Sequence, residues 1–304
     1  MKCDKCENVA VYSRKYSGEN YCSPCFSDSI LRKTAKTISK YNMINNDELV
    51  CVAVSGGKDS LALLHILDKM SKNHNFRLEV ITIDEGIPGY RNEALEIVNS
   101  FCSKINVKHS VFSYKELFDL TLDEALELRE NEKTSSCSIC GTLRRRAIDH
   151  AAKKIGADVI ATGHNLDDNL QSFFINLLSG DTNKIGWMDP DTSKNTLRKI
   201  KPFCEIYESE IVFYAFTNQI PFQTEPCPHM NEGIRTELRE FLNSLETHHS
   251  GIKNNLLRSS LKISEIVKES NNKEKRTCPH CGSECTGKIC SVCNLVLKLN
   301  EKRS

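Results

Sequence analysis

Between Leu49 and Leu178 the chain alternates short, continuous apolar runs with longer stretches whose apolar residues recur every three or four positions. A run such as Leu49-Val50-Cys51-Val52-Ala53 has no polar face, so a strand made from it must be covered on both sides. Helical spacing in Leu61-Ala62-Leu63-Leu64-His65-Ile66-Leu67 supplies such cover. The pattern predicts strand 49–54, helix 59–70, strand 78–84, helix 91–104, strand 107–112, helix 141–155, strand 158–162 and helix 166–178. Strands separated by amphipathic helices form βαβ units, which implies an α/β fold with a parallel sheet and ligands at the carboxyl ends of its strands. Further helices are expected at 26–41, 205–219 and 252–267. In the last, Leu256, Leu257, Leu261, Ile263 and Ile266 are the expected core residues.

The junction of the first strand and helix carries chemistry. After Ala53 and Val54 the chain runs Ser55-Gly56-Gly57-Lys58-Asp59-Ser60. Paired glycines that turn a strand into a helix present bare backbone N–H groups at the positive end of the helix dipole, which suits phosphate. The spacing is neither Gly-x-x-x-x-Gly-Lys-Ser/Thr nor Gly-x-Gly-x-x-Gly. Two more polar loops end strands: Ile83-Asp84-Glu85-Gly86-Ile87, and Thr162-Gly163-His164-Asn165-Leu166-Asp167-Asp168. Gly163 permits close approach. Asp167 and Asp168 can cap the helix they open or, beside a triphosphate, hold Mg2+.

Charge is split along the chain. Net charge is +1, yet residues 1–40 carry 8 basic against 4 acidic residues, and 251–304 carry 11 against 5. The middle, 41–250, carries 22 against 31. Basic ends on an acidic body suit peripheral modules that hold a nucleic acid while the body binds a nucleotide with a divalent cation.

Fifteen cysteines, no secretory leader and no apolar run of membrane-spanning length indicate a cytoplasmic protein without membrane partners, in which clustered thiols bind metal. Cys3-x2-Cys6 and Cys22-x2-Cys25 have the form of two knuckles closing a tetrahedral zinc site; so do Cys278-x2-Cys281 and Cys290-x2-Cys293. Four thiolates leave no open position, so both zincs are expected to be structural. Cys51, Cys102 and Cys204 sit in apolar contexts and read as small buried hydrophobes.

The remaining thiols are of another kind. Cys137-Ser138-Ile139-Cys140-Gly141 runs into Arg144-Arg145-Arg146, so two thiols stand at the mouth of a basic helix, a setting that favours thiolate. The arginines can serve ATP phosphate or RNA. Cys227 lies between Pro226 and Pro228, which present it rigidly. Three such cysteines can ligate a 4Fe-4S cluster and leave one iron without a protein ligand.

Taken in order, the amino-terminal knuckles, Ser-Gly-Gly-Lys-Asp-Ser, Cys-Ser-Ile-Cys-Gly-x-x-Arg-Arg, Thr-Gly-His-Asn-Leu-Asp-Asp, Pro-Cys-Pro and the terminal ribbon resemble the TtuA-type tRNA 2-thiouridine synthetases. The resemblance implies a PP-loop ATP pyrophosphatase domain, adenine nucleotide alpha hydrolase-like, flanked by zinc ribbons. It implies boundaries at 1–40, 41–250 and 251–304. It also implies ATP-dependent replacement of a tRNA uridine 2-oxygen by sulfur, releasing AMP and pyrophosphate, with the cluster on Cys137, Cys140 and Cys227. Residues 53–60 and Asp168 would serve the nucleotide with Mg2+, Ile83 backbone would read the base, and Asp59, Arg144 and Asp167 would take part in catalysis. A ubiquitin-like carrier or free sulfide would donate sulfur, and the enzyme would be a homodimer. Two other readings compete: a cluster-free thiolase working through a persulfide and disulfide on the same cysteines, and a non-catalytic zinc-ribbon RNA-binding protein.

Overall fold

The strand Leu49–Ala53 lies inside a six-stranded sheet, ordered Lys108–Ser113, Arg77–Asp84, Leu49–Ala53, Val159–Thr162, Arg198–Ile200 and Asp191–Thr192. This is a computed structural model, and it describes residues 1–129, 135–186, 191–192, 197–229, 234–270, 276–285 and 287–303. Five strands run parallel; only Asp191–Thr192 pairs antiparallel, at the edge. The expected strands and three of the helices, Lys58–Ser71, Tyr90–Ile105 and Leu166–Leu178, form within a residue or two of their predicted limits, while Ser23–Lys40, Glu208–Thr217 and Ile252–Ser270 differ by three residues at one end. The helix expected at 141–155 instead spans Ser136–Lys154.

Alternation along the central strand divides the core in two. Val50 and Val52 face one layer with Leu61, Leu64, Val98, Phe203 and Ile211. Cys51 faces the other, with Ile81, Leu143, Ala147 and Ile160. Each fully buried Leu or Ile contributes about 1.5–3 kcal/mol relative to an exposed one. Cys51, Cys102 and Cys204 are buried as expected, and burial pushes their thiols up to about 12, 11 and 12.

The terminal modules dock on opposite faces. Tyr21 and Phe26, from the amino-terminal module and the helix Ser23–Lys40, join the first layer, with Phe26 edge-on to Phe213, ring centroids 4.8 Å apart. Glu210, with no exposed surface, is paired there with Arg14 Nε at 2.7 Å and Lys33 Nζ at 3.1 Å. At the other end Cys278, Cys290, Val292 and Leu299 join the second layer, against the helix Ser136–Lys154. Of the core residues expected in the helix Ile252–Ser270, Leu257 is buried, but Ile263 and Ile266 are exposed, 40% and 66%. This helix packs on Leu166–Leu178 along a narrower stripe than its sequence offers.

Candidate active site

The loop after the central strand folds onto the start of the next helix. Val54 N–H donates to Ile81 O at 2.9 Å, extending the sheet by one bond, and Gly56 then takes φ +90°. A Cβ at Gly56 would lie 2.8 Å from Ala94 Cβ, so space and conformation both demand glycine. Ser60 Oγ accepts from Ser55 N at 3.2 Å and donates to Gly57 O at 2.9 Å, closing the turn. Lys58 Nζ lies between Asp59 Oδ2, 3.0 Å, and Glu208 Oε1, 2.8 Å. Burial raises the Asp59 carboxyl against the opposing pull of Lys58.

Gly163 brings the third loop against this turn. A Cβ there would stand 2.9 Å from Asp59 C and Ser60 N, both backbone atoms that have no room to move. Asn165 Nδ2 donates to Asp59 Oδ1 at 3.2 Å, while Asn165 and Asp168 form a reciprocal capping box. The two adjacent aspartates therefore part company. Asp167 is buried, with Oδ2 accepting from Glu208 N at 2.8 Å and Oδ1 paired with Lys253 Nζ. Asp168 remains beside the loop, 3.8 Å from Arg235 Nη1, and burial raises its carboxyl. Both aspartates were candidates in the sequence; only Asp168 shares a capping box with the residue that holds Asp59.

Ser135 caps the helix Ser136–Lys154, its Oγ accepting from Ser138 N at 3.3 Å, so Cys137 and Cys140 lie within the helix and not before it. Cys137 is exposed and Cys140 is 9% exposed. Tyr114 Oη donates to Cys140 O at 2.9 Å. Arg144 Nη2 donates to Cys140 Sγ at 3.3 Å and pairs with Glu85 Oε1 at 2.8 Å. The loop bearing Cys227 returns to the same place. Cys137 Sγ lies 3.9 Å from His229 O, and Cys227 packs on the core layer that contains Cys140. Gln223 ties this loop to the phosphate turn, its N–H donating to Gly56 O at 3.0 Å.

Of the two thiols expected to favour thiolate, Cys137 and Cys140, the second does not. Burial raises Cys140 and Cys227, and Arg144, which acts in the opposite direction on both, does not offset it. A bound metal would override this, since a coordinating thiol is deprotonated outright. In each terminal quartet, Cys3, Cys6, Cys22, Cys25 and Cys278, Cys281, Cys290, Cys293, all four sulfurs lie within 4.8 Å of one another. Among the described residues only these two cysteine groups are so compact. Four sulfurs at that spacing fit one tetrahedral ion, and backbone donors already serve them. Cys290 N–H donates to Cys278 Sγ at 3.4 Å and helps draw that thiol down to about 6. Cys137, Cys140 and Cys227 are not drawn together to that spacing, so they do not form a one-ion site of this kind.

Sequence reasoning passed over two residues. Glu85 is 2% exposed and Arg91 3%, and they pair at 2.9 Å. Arg91 also donates to Ser55 O at 2.9 Å and to Ile83 O at 2.7 Å. The Ile83 backbone, expected to read a base, thus carries a guanidinium on its carbonyl. Arg146 is a correction of another sort: expected to serve phosphate or RNA, it donates to Cys281 Sγ at 3.2 Å and Cys290 Sγ at 3.3 Å.

Comparison with known proteins agrees with this geometry. A family model described as a PP-loop domain matches residues 28–246, and one described as the N-terminal LIM domain of 2-thiouridine synthetase TtuA matches 2–27. The tRNA 2-thiolation protein NcsA of Haloferax volcanii is 30% identical over 317 residues, covering 97% of this chain and 98% of that one. The chain belongs to the PP-loop family of tRNA 2-thiolation proteins. A member from Methanocaldococcus jannaschii, named "Probable sulfurtransferase", is 35% identical over 302 residues, 97% of this chain and 87% of that one. The solved structure of the U34-tRNA thiolase NcsA from Methanococcus maripaludis, with its 4Fe-4S cluster, superposes with a TM-score of 0.85 at 30% identity, covering 97% of this chain and 95% of that one. Among the described residues no helix is long and apolar enough to cross a membrane.

Proposed function

We propose that this chain is an ATP-dependent tRNA 2-thiouridine synthetase. The observation that carries the reading is the convergence of Cys137, Cys140 and the Cys227 loop beside the phosphate turn, through Arg144 on Cys140 Sγ and Gln223 on Gly56. The N–H groups of residues 55–60, with Lys58 and Ser60, hold the ATP phosphates at the helix start. Asp59 and Asp168 would hold Mg2+; both are half-buried carboxyls that desolvation raises above the ordinary range, the environment a divalent cation neutralises. Uridine O2 attacks the α-phosphorus, a P–O bond forms, and pyrophosphate leaves. The turn and Lys58 contribute by positioning and by neutralising charge. Sulfur then adds at C2 and AMP departs with the former uridine oxygen.

Cys137, Cys140 and Cys227 would hold a 4Fe-4S cluster, which when bound offers an iron without a protein ligand as a place for sulfur. Arg144 keeps positive charge at that place, Tyr114 fixes the Cys140 backbone, and the prolines around Cys227 hold its loop in shape. The terminal quartets would each hold one structural zinc. A ubiquitin-like carrier or free sulfide would supply the sulfur.

The test is turnover with defined reactants. Anaerobically reconstituted protein, incubated with ATP, Mg2+, sulfide and unmodified tRNA, should yield 2-thiouridine on nucleoside analysis, with AMP and pyrophosphate in equal amounts. Thiolation without AMP release, or no thiolation by protein with full iron content, would overturn the assignment.

A further inference from the structure

A continuous line of charged contacts joins the phosphate turn to the thiols. Ser55 O and Ile83 O accept from the two terminal nitrogens of Arg91, at 2.9 and 2.7 Å. Arg91 Nε faces Glu85 Oε2 at 2.9 Å, the other Glu85 oxygen faces Arg144 Nη2 at 2.8 Å, and that nitrogen donates to Cys140 Sγ at 3.3 Å. Glu85 is 2% exposed and stands between two guanidiniums, one fixed on the nucleotide loop and one on a thiol. A carboxylate enclosed this completely persists only where cations compensate it, and each cation here is oriented by sharing it. Its own backbone is anchored as well, Leu122 N–H donating to Glu85 O at 2.8 Å. The turn that follows is fixed by Gly86, at φ +73°, where a Cβ would lie 2.7 Å from Thr121 Cγ2.

We infer that Glu85 is a positioning residue that holds Arg91 on the nucleotide loop and, by sharing its charge with Arg144, tempers the cation beside Cys140, so that both halves of the reaction depend on one buried carboxylate. Without that charge, the buried Arg91 guanidinium faces the half-exposed Arg144 guanidinium uncompensated, and Arg91 is driven from its place. Arg91 then loses its hold on the Ser55 and Ile83 carbonyls, and the turn that receives phosphate loosens. Arg144 acts on Cys140 with its full charge, no longer half neutralised.

The inference rests on the proposed reading of the site, and its test is separate from thiolation. In metal-free Glu85→Gln, Mg-ATP titrated by calorimetry should bind about tenfold more weakly, a difference of about 1.4 kcal/mol. In the reconstituted variant, the cluster's reduction potential should move to more positive values, because an uncompensated cation beside a ligand thiolate favours the added electron. A merely structural residue would lower the melting temperature without moving the potential of the cluster that remains. Glu85→Asp keeps the charge but is too short to reach both arginines. It should leave the potential near that of the parent while still weakening ATP, and it serves if the glutamine variant does not fold. Unchanged ATP affinity in both variants, or an unchanged potential in Glu85→Gln, overturns the inference.

Discussion

Arg146 Nη2 donates to Cys290 Sγ at 3.3 Å, so the helix that carries Cys137 and Cys140 also supplies an outer partner to the carboxy-terminal quartet. The other guanidinium nitrogen, Nη1, reaches Cys281 Sγ at 3.2 Å. A four-thiolate site around a divalent ion carries excess negative charge, and a cationic donor to its sulfurs lowers that cost. Outer partners of this kind are worth about 10–100-fold in metal affinity. Arg146→Ala should release zinc from this quartet at a correspondingly lower chelator concentration, with the amino-terminal quartet unaffected; metal analysis of the dialysed protein against the Cys3→Ala variant reads this.

The three converging thiols give a second expectation. Cys137→Ala, Cys140→Ala and Cys227→Ala should each abolish thiolation and lower the visible absorption of the reconstituted protein, while both zincs stay bound. Iron and zinc counted on one sample separate these outcomes from general misfolding.

Gly163 makes a sharper demand than its flexibility. Because its missing Cβ would stand 2.9 Å from two backbone atoms of the phosphate turn, Gly163→Ala must displace the third loop or the turn itself. The expected effect is a loss of Mg-ATP affinity of about tenfold or more, at a stability cost of about 1–3 kcal/mol for overpacking. Calorimetry and denaturant unfolding measure the two separately.

Asp167 and Lys253 bind the helix Leu166–Leu178 to the helix Ile252–Ser270, and both side chains are about 95% buried. Breaking such a pair from one side leaves an enclosed charge and costs about 3–5 kcal/mol. Lys253→Met should show this as a lower urea midpoint. Most of it should be recovered in Lys253→Met/Asp167→Asn, in which neither charge remains.

Acid should destabilise the body through His65. Burial first, and the nearby Lys69 second, depress this imidazole from 6.5 to about 4, and its Nδ1 lies 3.1 Å from Tyr214 Oη. A depressed folded-state value means that the stability is fully present above 6.5 and is lost as pH falls from 6.5 towards 4. The partial exposure of the ring reduces the effect to about 2 kcal/mol. His65→Gln should flatten the unfolding free energy over that interval relative to the parent.

The βαβ block was legible because apolar runs and helical spacing act locally, and the phosphate turn because Gly56 and Gly57 follow a strand directly. The start of the helix Ser136–Lys154 was not, since Gly141 disfavours a helix interior and drew the expected boundary to itself. Ser135 as a cap outweighs it. Two short helices, Tyr114–Phe118 and Leu122–Glu127, were missed although Ser113 with Glu116 and Thr121 with Glu124 spell capping boxes. Glu85 had no local signal at all. Its meaning comes from Arg91 and Arg144, one six residues away and the other on a different crossover, and only tertiary structure puts them together. Ile263 and Ile266 show the converse: the sequence offers a wider apolar stripe than the neighbouring helices cover.

Glu210, sealed beneath the amino-terminal module, ties metal supply to the survival of the whole chain. Its partners Arg14 and Tyr16 belong to the module that the first four cysteines brace, so emptying that quartet leaves a buried anion with Lys33 and the Tyr207 N–H beside it. Loss of the ion would therefore be felt in the layer around Phe213, on the face of the sheet opposite Cys140.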